Sequence, residues 1–158
     1  MEFLQKKLIA PLLAFLQQGL SPEKLALCVA LGVTLGTFPM LGATTLLCTA
    51  AALSLRLNMP AIQLVNYFAY PLQLLLFIPF IRAGEFLFQE TPVPLDLSLI
   101  FTMLQTDMLG TIQSLWWTNF RGMIAWSIIA VPVGILVYGI LKKVFTRIAS
   151  MQNADSQG

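Results

Sequence analysis

Apolar residues run from Leu25 to Leu55, between Lys24 and Arg56, and the run breaks at its centre over Gly36-Thr37-Phe38-Pro39-Met40-Leu41-Gly42. A spanning helix needs roughly 20 apolar residues at about 1.5 Å rise each. The arms on either side of the break, Leu25 to Gly36 and Ala43 to Leu55, offer only about 12 or 13 residues each, on the order of 20 Å. The stretch is therefore too long for one span and too short for two. Pro39 has no backbone donor, and Gly36 and Gly42 are poor helix residues, so two half-helices are predicted. They form either a re-entrant hairpin or two short spans. Non-helical backbone at membrane depth persists only where it is buried in protein or lines a wet cavity.

Ser21-Pro22-Glu23 is a helix start, with a serine cap, proline in the first turn and an acid on the positive helix end. Arg56-Leu57-Asn58-Met59-Pro60 marks a return to the interface and a second start. Ala61 to Ile81 then reads as a full span that Pro71 should kink. Gly84 to Pro94 is polar and proline-bearing, a loop. From Leu95 to Phe120 the apolar positions Leu97, Phe101, Leu104, Met108, Ile112 and Leu115 recur at three and four, predicting an interfacial amphipathic helix ending at Trp116-Trp117. Gly122 to Leu141 is the last span. At the start of the chain, Leu4, Leu8, Leu12 and Phe15 predict another interfacial segment, bent by Pro11, and the tail after Arg147 reads as disordered. The predicted organisation is an interfacial segment (1–20), a hairpin with the first full span (21–88), a loop with an interfacial helix (89–120), a last span (121–147) and a tail (148–158).

Composition fixes the class. Of 158 residues, 58% are hydrophobic and 10% charged, against about a quarter charged in a soluble domain. The predicted fold is thus all-α and integral to a membrane: a half-helix hairpin, two transmembrane helices and interfacial amphipathic helices. If the hairpin enters and leaves on one side, Lys6, Lys7, Lys24, Arg56, Lys142, Lys143 and Arg147 share that side. Only Arg82 and Arg121 lie opposite, beside Glu85, Glu90, Asp96 and Asp107. The positive-inside rule then makes both termini cytoplasmic.

Three constellations are candidates for chemistry. Cys28, Gly32 and Gly36 on one arm, and Thr44, Cys48 and Ala52 on the other, recur every four residues. Packed antiparallel they would pair as Gly36–Thr44, Gly32–Cys48 and Cys28–Ala52, a close small-residue contact. At the break, the second half-helix turns its free N–H groups and positive dipole end inward, with the Thr37, Thr44 and Thr45 hydroxyls nearby. Such helix ends bind anionic groups in transporters, while the same threonines also serve as caps. On the next span Gln63, Asn66, Tyr70 and Gln73 share one face, either as interhelical glue or as the wall of a polar cavity. No Asp, Glu or His lies inside an apolar segment, and the chain has no histidine at all. Enzymatic, metal-dependent and proton-relay chemistry are therefore not expected, nor is any cofactor. Glu85 and Glu90 read as a solvated edge, and Cys28 and Cys48 as packing residues.

Leu20-Ser21-Pro22-Glu23-Lys24-Leu25-Ala26-Leu27, Leu35-Gly36-Thr37-Phe38-Pro39-Met40-Leu41-Gly42 and Leu55-Arg56-Leu57-Asn58-Met59-Pro60 occur in an order that resembles the bacterial membrane family called domain of unknown function 2062. The likeness covers about Gly19 to Phe88. That family commonly has Asn-Pro where this chain has Tyr70-Pro71, with Asn66 one turn earlier. Some of its members are joined to glycosyltransferase domains, which implies work near lipid-linked sugars or polyprenyl phosphates. Two expectations follow. In one, Thr37, Thr44, Thr45, Asn66, Tyr70 and Gln73 hold an anionic lipid headgroup recruited by Arg56, Arg82 and Arg121, in a carrier or flippase-like protein. In the other, the chain is a non-catalytic scaffold for a membrane glycosyltransferase or envelope complex. Either way, two spans cannot wall off the break, so a homodimer or larger assembly is expected, and nucleic acid is not an expected partner.

Overall fold

The computed structural model describes residues 14, 20–94 and 96–155, which form five helices and no strand. The predicted interfacial segment at 1–20 lies almost wholly outside the described residues, as do Lys6, Lys7 and the last three positions of the tail. Helix α1 (Pro22–Gly36) starts where Ser21 Oγ accepts the Lys24 N–H at 3.3 Å. It is followed by a non-helical tip and by α2 (Ala43–Ser54). Helix α3 (Met59–Leu87) starts where Asn58 Oδ1 accepts the Ala61 N–H at 2.9 Å, and it continues unbroken through Pro71 and Pro79.

The end of the chain departs from the predicted pattern. Residues 95–120 are not one helix. Helix α4 (Leu97–Thr106) stops at Asp107, whose carboxylate accepts the Gly110 N–H at 3.0 Å and so starts α5 (Met108–Asp155). Helix α5 then absorbs Trp116-Trp117, the expected last span and most of the expected tail, for 48 residues in all, about 72 Å. Asp107 is both the stop and the cap, a double role that the apolar periodicity on either side conceals.

Contacts fix the register of the bundle. Going along α1, Cys28 reaches the Asn58 carbonyl, Gly32 meets Ile62 and Val65, Gly36 meets Asn66 and Ala69, and the Phe38 carbonyl reaches Gln73. Helices α1 and α3 therefore run parallel. Helix α5 runs against both, with Lys142 Nζ at 2.7 Å from Glu23, Gly134 against Thr34 and Trp126 on Thr37. Gln73 is the middle residue of the 29-residue α3, so the tip between α1 and α2 stands beside the midpoint of a helix about 43 Å long.

Glycine packing corrects one expectation. A Cβ on Gly32 would fall 2.7 Å from Val65 Cβ, and one on Gly36 2.8 Å from Ala69 Cβ. The small face of α1 is spent on α3, which offers Ala61, Val65 and Ala69 at the same four-residue spacing, and not on α2. Only the lower part of the expected pairing survives: Cys28, Cys48 and Ala52 share a buried cluster with Leu25, Ile62 and Phe145. A second close approach joins α3 to α5, where Gly84 lies against the Arg121–Gly122 backbone. Among the described residues, α3 and the Met108–Met151 part of α5 are the two helices long and apolar enough to cross a membrane. Their outer sides leave large apolar residues bare, such as Leu75 and Phe86 at 71% and 87% exposure.

Candidate functional site at the hairpin tip

The tip spans residues 37–42, and each of its first four residues is tied down. The Thr37 hydroxyl donates to the Thr34 carbonyl at 2.9 Å and accepts from Trp126 Nε1 at 3.3 Å. The Phe38 ring meets the Trp126 ring edge-on at 5.0 Å. Gln73 Nε2 donates to the Phe38 carbonyl at 2.8 Å and to that of Met40 at 3.4 Å. Asn119 Nδ2 donates to the Pro39 carbonyl at 2.9 Å. Pro39 and Gln73 are fully buried, whereas Met40, Leu41 and Gly42 are exposed. Gly42 has φ +83°, where a side chain would be strained.

The start of α2 is bare by comparison. Its cap residue is Gly42, which offers no side-chain acceptor. The Ala43 N–H reaches the Met40 carbonyl at 3.3 Å, but no acceptor outside the helix closes on the N–H of Thr44 or Thr45 among the described residues. Thr44 is buried and Thr45 exposed.

The predicted polar face of α3 divides three ways. Asn66 Nδ2 donates to Gln63 Oε1 at 3.2 Å and to Thr45 Oγ1 at 3.4 Å, while Gln63 Nε2 donates to Thr49 Oγ1 at 2.9 Å and the Thr45 carbonyl at 3.1 Å. This ladder joins α3 to α2. Asn66 Oδ1 has no N–H or O–H partner among the described residues; it points at Gly36, 3.2 Å from where a Cβ would stand, a position suited to a weak Cα–H···O contact. Gln73 belongs to the tip, and Tyr70 turns outward, 49% exposed.

The cations do not gather at the tip. Arg56 is exposed at the base of the hairpin, with φ +51°. Arg82 Nη1 pairs with Glu85 at 2.7 Å and donates to the Val93 carbonyl at 3.2 Å, while Glu85 accepts the Val93 N–H at 2.8 Å. Arg121 pairs with Glu90 at 2.6 Å. Both arginines are thus already neutralised. Glu85, expected on a solvated edge, is only 2% exposed, because it secures both Arg82 and the loop after α3. Asn119, Trp126 and Glu85 escaped the sequence reading. The first two act across some eighty residues of chain, and no local pattern marks them; Glu85 stands three residues from Arg82, a spacing that could have revealed the pair.

What the tip can do follows from its inventory. Among the described residues no ionisable side chain hydrogen-bonds to it, and no group of three or more His, Cys, Asp or Glu could hold a metal ion. It offers oriented amides, hydroxyls and two opposed helix ends. Beside it, α1, α3 and α5 enclose an apolar groove of about 470 Å³ lined by Val33, Thr37, Leu76, Phe80 and Val133 among others.

Over residues 6–153 the chain matches the family described as "Uncharacterized protein conserved in bacteria (DUF2062)". The chain belongs to that family. No curated protein and no solved structure matches it. In this DUF2062 member, the match takes in the tip and also Asn119 and Trp126, the α5 residues that hold it.

Proposed function

We propose that this DUF2062 protein is a multi-pass protein of the bacterial inner membrane, with both termini cytoplasmic and the α1–α2 hairpin re-entrant. In this reading it carries an anionic lipid headgroup of the polyprenyl-phosphate kind at the tip. The observation that carries the reading is the uncapped start of α2 beside the midpoint of α3. In hydrocarbon an unsatisfied backbone group costs several kcal/mol, and an anion is the natural acceptor for free N–H groups at a positive helix end. Charge supports the orientation: Lys24, Arg56, Lys142 and Lys143 stand at the base, where Glu23 meets Lys142. Arg56 is the recruiting cation on that side, whereas Arg82 and Arg121 must first leave their carboxylates. The groove beside Thr37 offers room for hydrocarbon chain. A second copy covers the exposed Met40–Gly42 segment.

The role is non-catalytic and uses no cofactor. Flipping of a labelled polyprenyl phosphate in reconstituted vesicles tests it: Thr44→Val with Asn66→Leu should abolish transport while assembly persists, and unchanged flipping rejects the site.

One observation favours a scaffold instead. Gln73, Asn119 and Trp126 tie the tip so fully that it also reads as packing for docking a glycosyltransferase or envelope complex. Native mass spectrometry from lipid nanodiscs separates the two: a retained phosphate lipid favours the carrier, and a stoichiometric protein partner the scaffold.

A further inference from the structure

The two helix ends that meet at the tip have opposite polarity, and the α1 end is as incomplete as the α2 end. A helix C-terminus carries a partial negative charge and carbonyls in search of donors. The carbonyls of Val33, Thr34 and Leu35 receive the amides of Thr37 and Phe38. The next donor along the chain is missing because Pro39 has no N–H. The Met40 amide, which would close on Gly36, turns to the Phe38 carbonyl at 2.7 Å instead. The carbonyls of Gly36 and Thr37 therefore receive no hydrogen bond among the described residues, and no basic residue lies in the last turn of α1.

Gln73 adds a third oxygen. It is 1% exposed, and its Oε1 has no partner among the described residues. The amide cannot turn over to relieve this, because its nitrogen faces two carbonyls, at 2.8 and 3.4 Å, that only a donor can satisfy. A planar carboxamide keeps Oε1 beside Nε2, both of whose acceptors are tip carbonyls.

We propose that this end of the tip binds a monovalent metal cation, Na⁺ or K⁺, through Gln73 Oε1 and the carbonyls of Gly36 and Thr37. Each unpaired group is an oxygen acceptor, so the missing component is positive. The set contains no carboxylate, which disfavours Mg²⁺ and Ca²⁺, whose protein sites are built on carboxylates. Carbonyl oxygens and half-helix C-termini are the usual ligands of desolvated monovalent cations. The ion compensates the negative end of α1 as the phosphate compensates the positive end of α2. The cation site does not depend on the lipid reading, since it is measured without any lipid ligand.

The test is thermal unfolding of the full chain in nanodiscs of neutral lipid, at constant ionic strength, exchanging choline chloride for NaCl or KCl. At concentrations well above its dissociation constant, each tenfold rise in the free concentration of the ion that binds should raise the folded-to-unfolded ratio about tenfold, and choline should do nothing. Gln73→Lys places an ammonium where the ion sits, with donors for the Phe38 and Met40 carbonyls, and should remove the ion dependence. Asn119→Leu loosens the tip elsewhere and should keep it. A wild-type protein equally stable in all three salts overturns the proposal, whether or not the variants fold. An ion response that persists in Gln73→Lys overturns the assignment to this site.

Discussion

Gly84 and Gly122 face each other where α3 crosses α5, and replacing each with alanine should have opposite consequences. A Cβ on Gly84 would stand 2.6 Å from both the Arg121 carbonyl carbon and the Gly122 nitrogen, whereas one on Gly122 would meet Ile81 at 3.4–3.5 Å, ordinary contact. Backbone atoms cannot rotate aside as a side chain can, so Gly84→Ala must push the helices apart by about 0.8 Å, the difference between 2.6 and 3.4 Å. A gap of that size forfeits a quarter to a half of the local dispersion energy, and overpacking costs about 1–3 kcal/mol, here toward the upper end. Against this stands the gain of about 1 kcal/mol for alanine over glycine inside a helix. Gly84→Ala should thus lose about 2 kcal/mol, while Gly122→Ala gains up to about 1. The separation of about 3 kcal/mol is roughly a hundredfold in the unfolding equilibrium. Reversible unfolding in mixed micelles, followed by tryptophan fluorescence, reads it directly. If the two variants shift alike within about 0.5 kcal/mol, the reasoning that the backbones touch at Gly84 is wrong.

Three further outcomes are expected. Asn119→Leu strips from the Pro39 carbonyl its one donor among the described residues and should cost about 1–3 kcal/mol in the same assay; an unchanged midpoint would show that Asn119 does not hold the tip. Glu85→Leu leaves the Val93 N–H and Arg82 without their acceptor and should lose about 2 kcal/mol, a figure kept low because Arg82 is 41% exposed. In hydrogen exchange its effect should concentrate at 88–94, and a change confined to the hairpin would contradict the assignment. Hydrogen bonds from Ser98 hold the Asp96 carboxyl below its usual range. Its capping of α4 is therefore present above the unfolded-state value, near pH 3.9, and is lost as pH falls through the lower folded one. The Ser98 amide resonance should titrate with a midpoint below about 3.9, and a midpoint at or above it refutes the cap.

Local signals in the chain were enough for the two half-helices and the break between them. Ser21-Pro22 and Asn58-Met59-Pro60 are cap patterns whose geometry depends on three or four neighbouring residues, and Pro39 between Gly36 and Gly42 stops a helix whatever surrounds it. The small-residue stripe was equally visible, but periodicity says which residues share a face and not which helix they meet, and Gly32 and Gly36 met α3. Asp107 was hidden because a single capping aspartate hardly disturbs an apolar pattern that continues on both sides. The ties that define the candidate site were the least legible. Asn119 and Trp126 reach the tip from α5, and their partners are set by the antiparallel register of the bundle, which no local spacing encodes. Arg82 and Arg121 could be placed at one end from charge order alone, but their neutralisation by Glu85 and Glu90 depends on how the loop after α3 folds back.

Helix α5 has a further consequence through the two ion pairs along its length. Arg121 pairs with Glu90 and Lys142 with Glu23, and the 21 residue steps from one to the other span about 32 Å of helix, close to the roughly 30 Å of a bilayer's hydrocarbon core. In the proposed inner-membrane setting the two pairs would stand near opposite faces of the hydrocarbon core. In a thinner bilayer a helix of that length would tilt or bend, at Pro132 above all, and Glu23 at the start of α1 would follow Lys142.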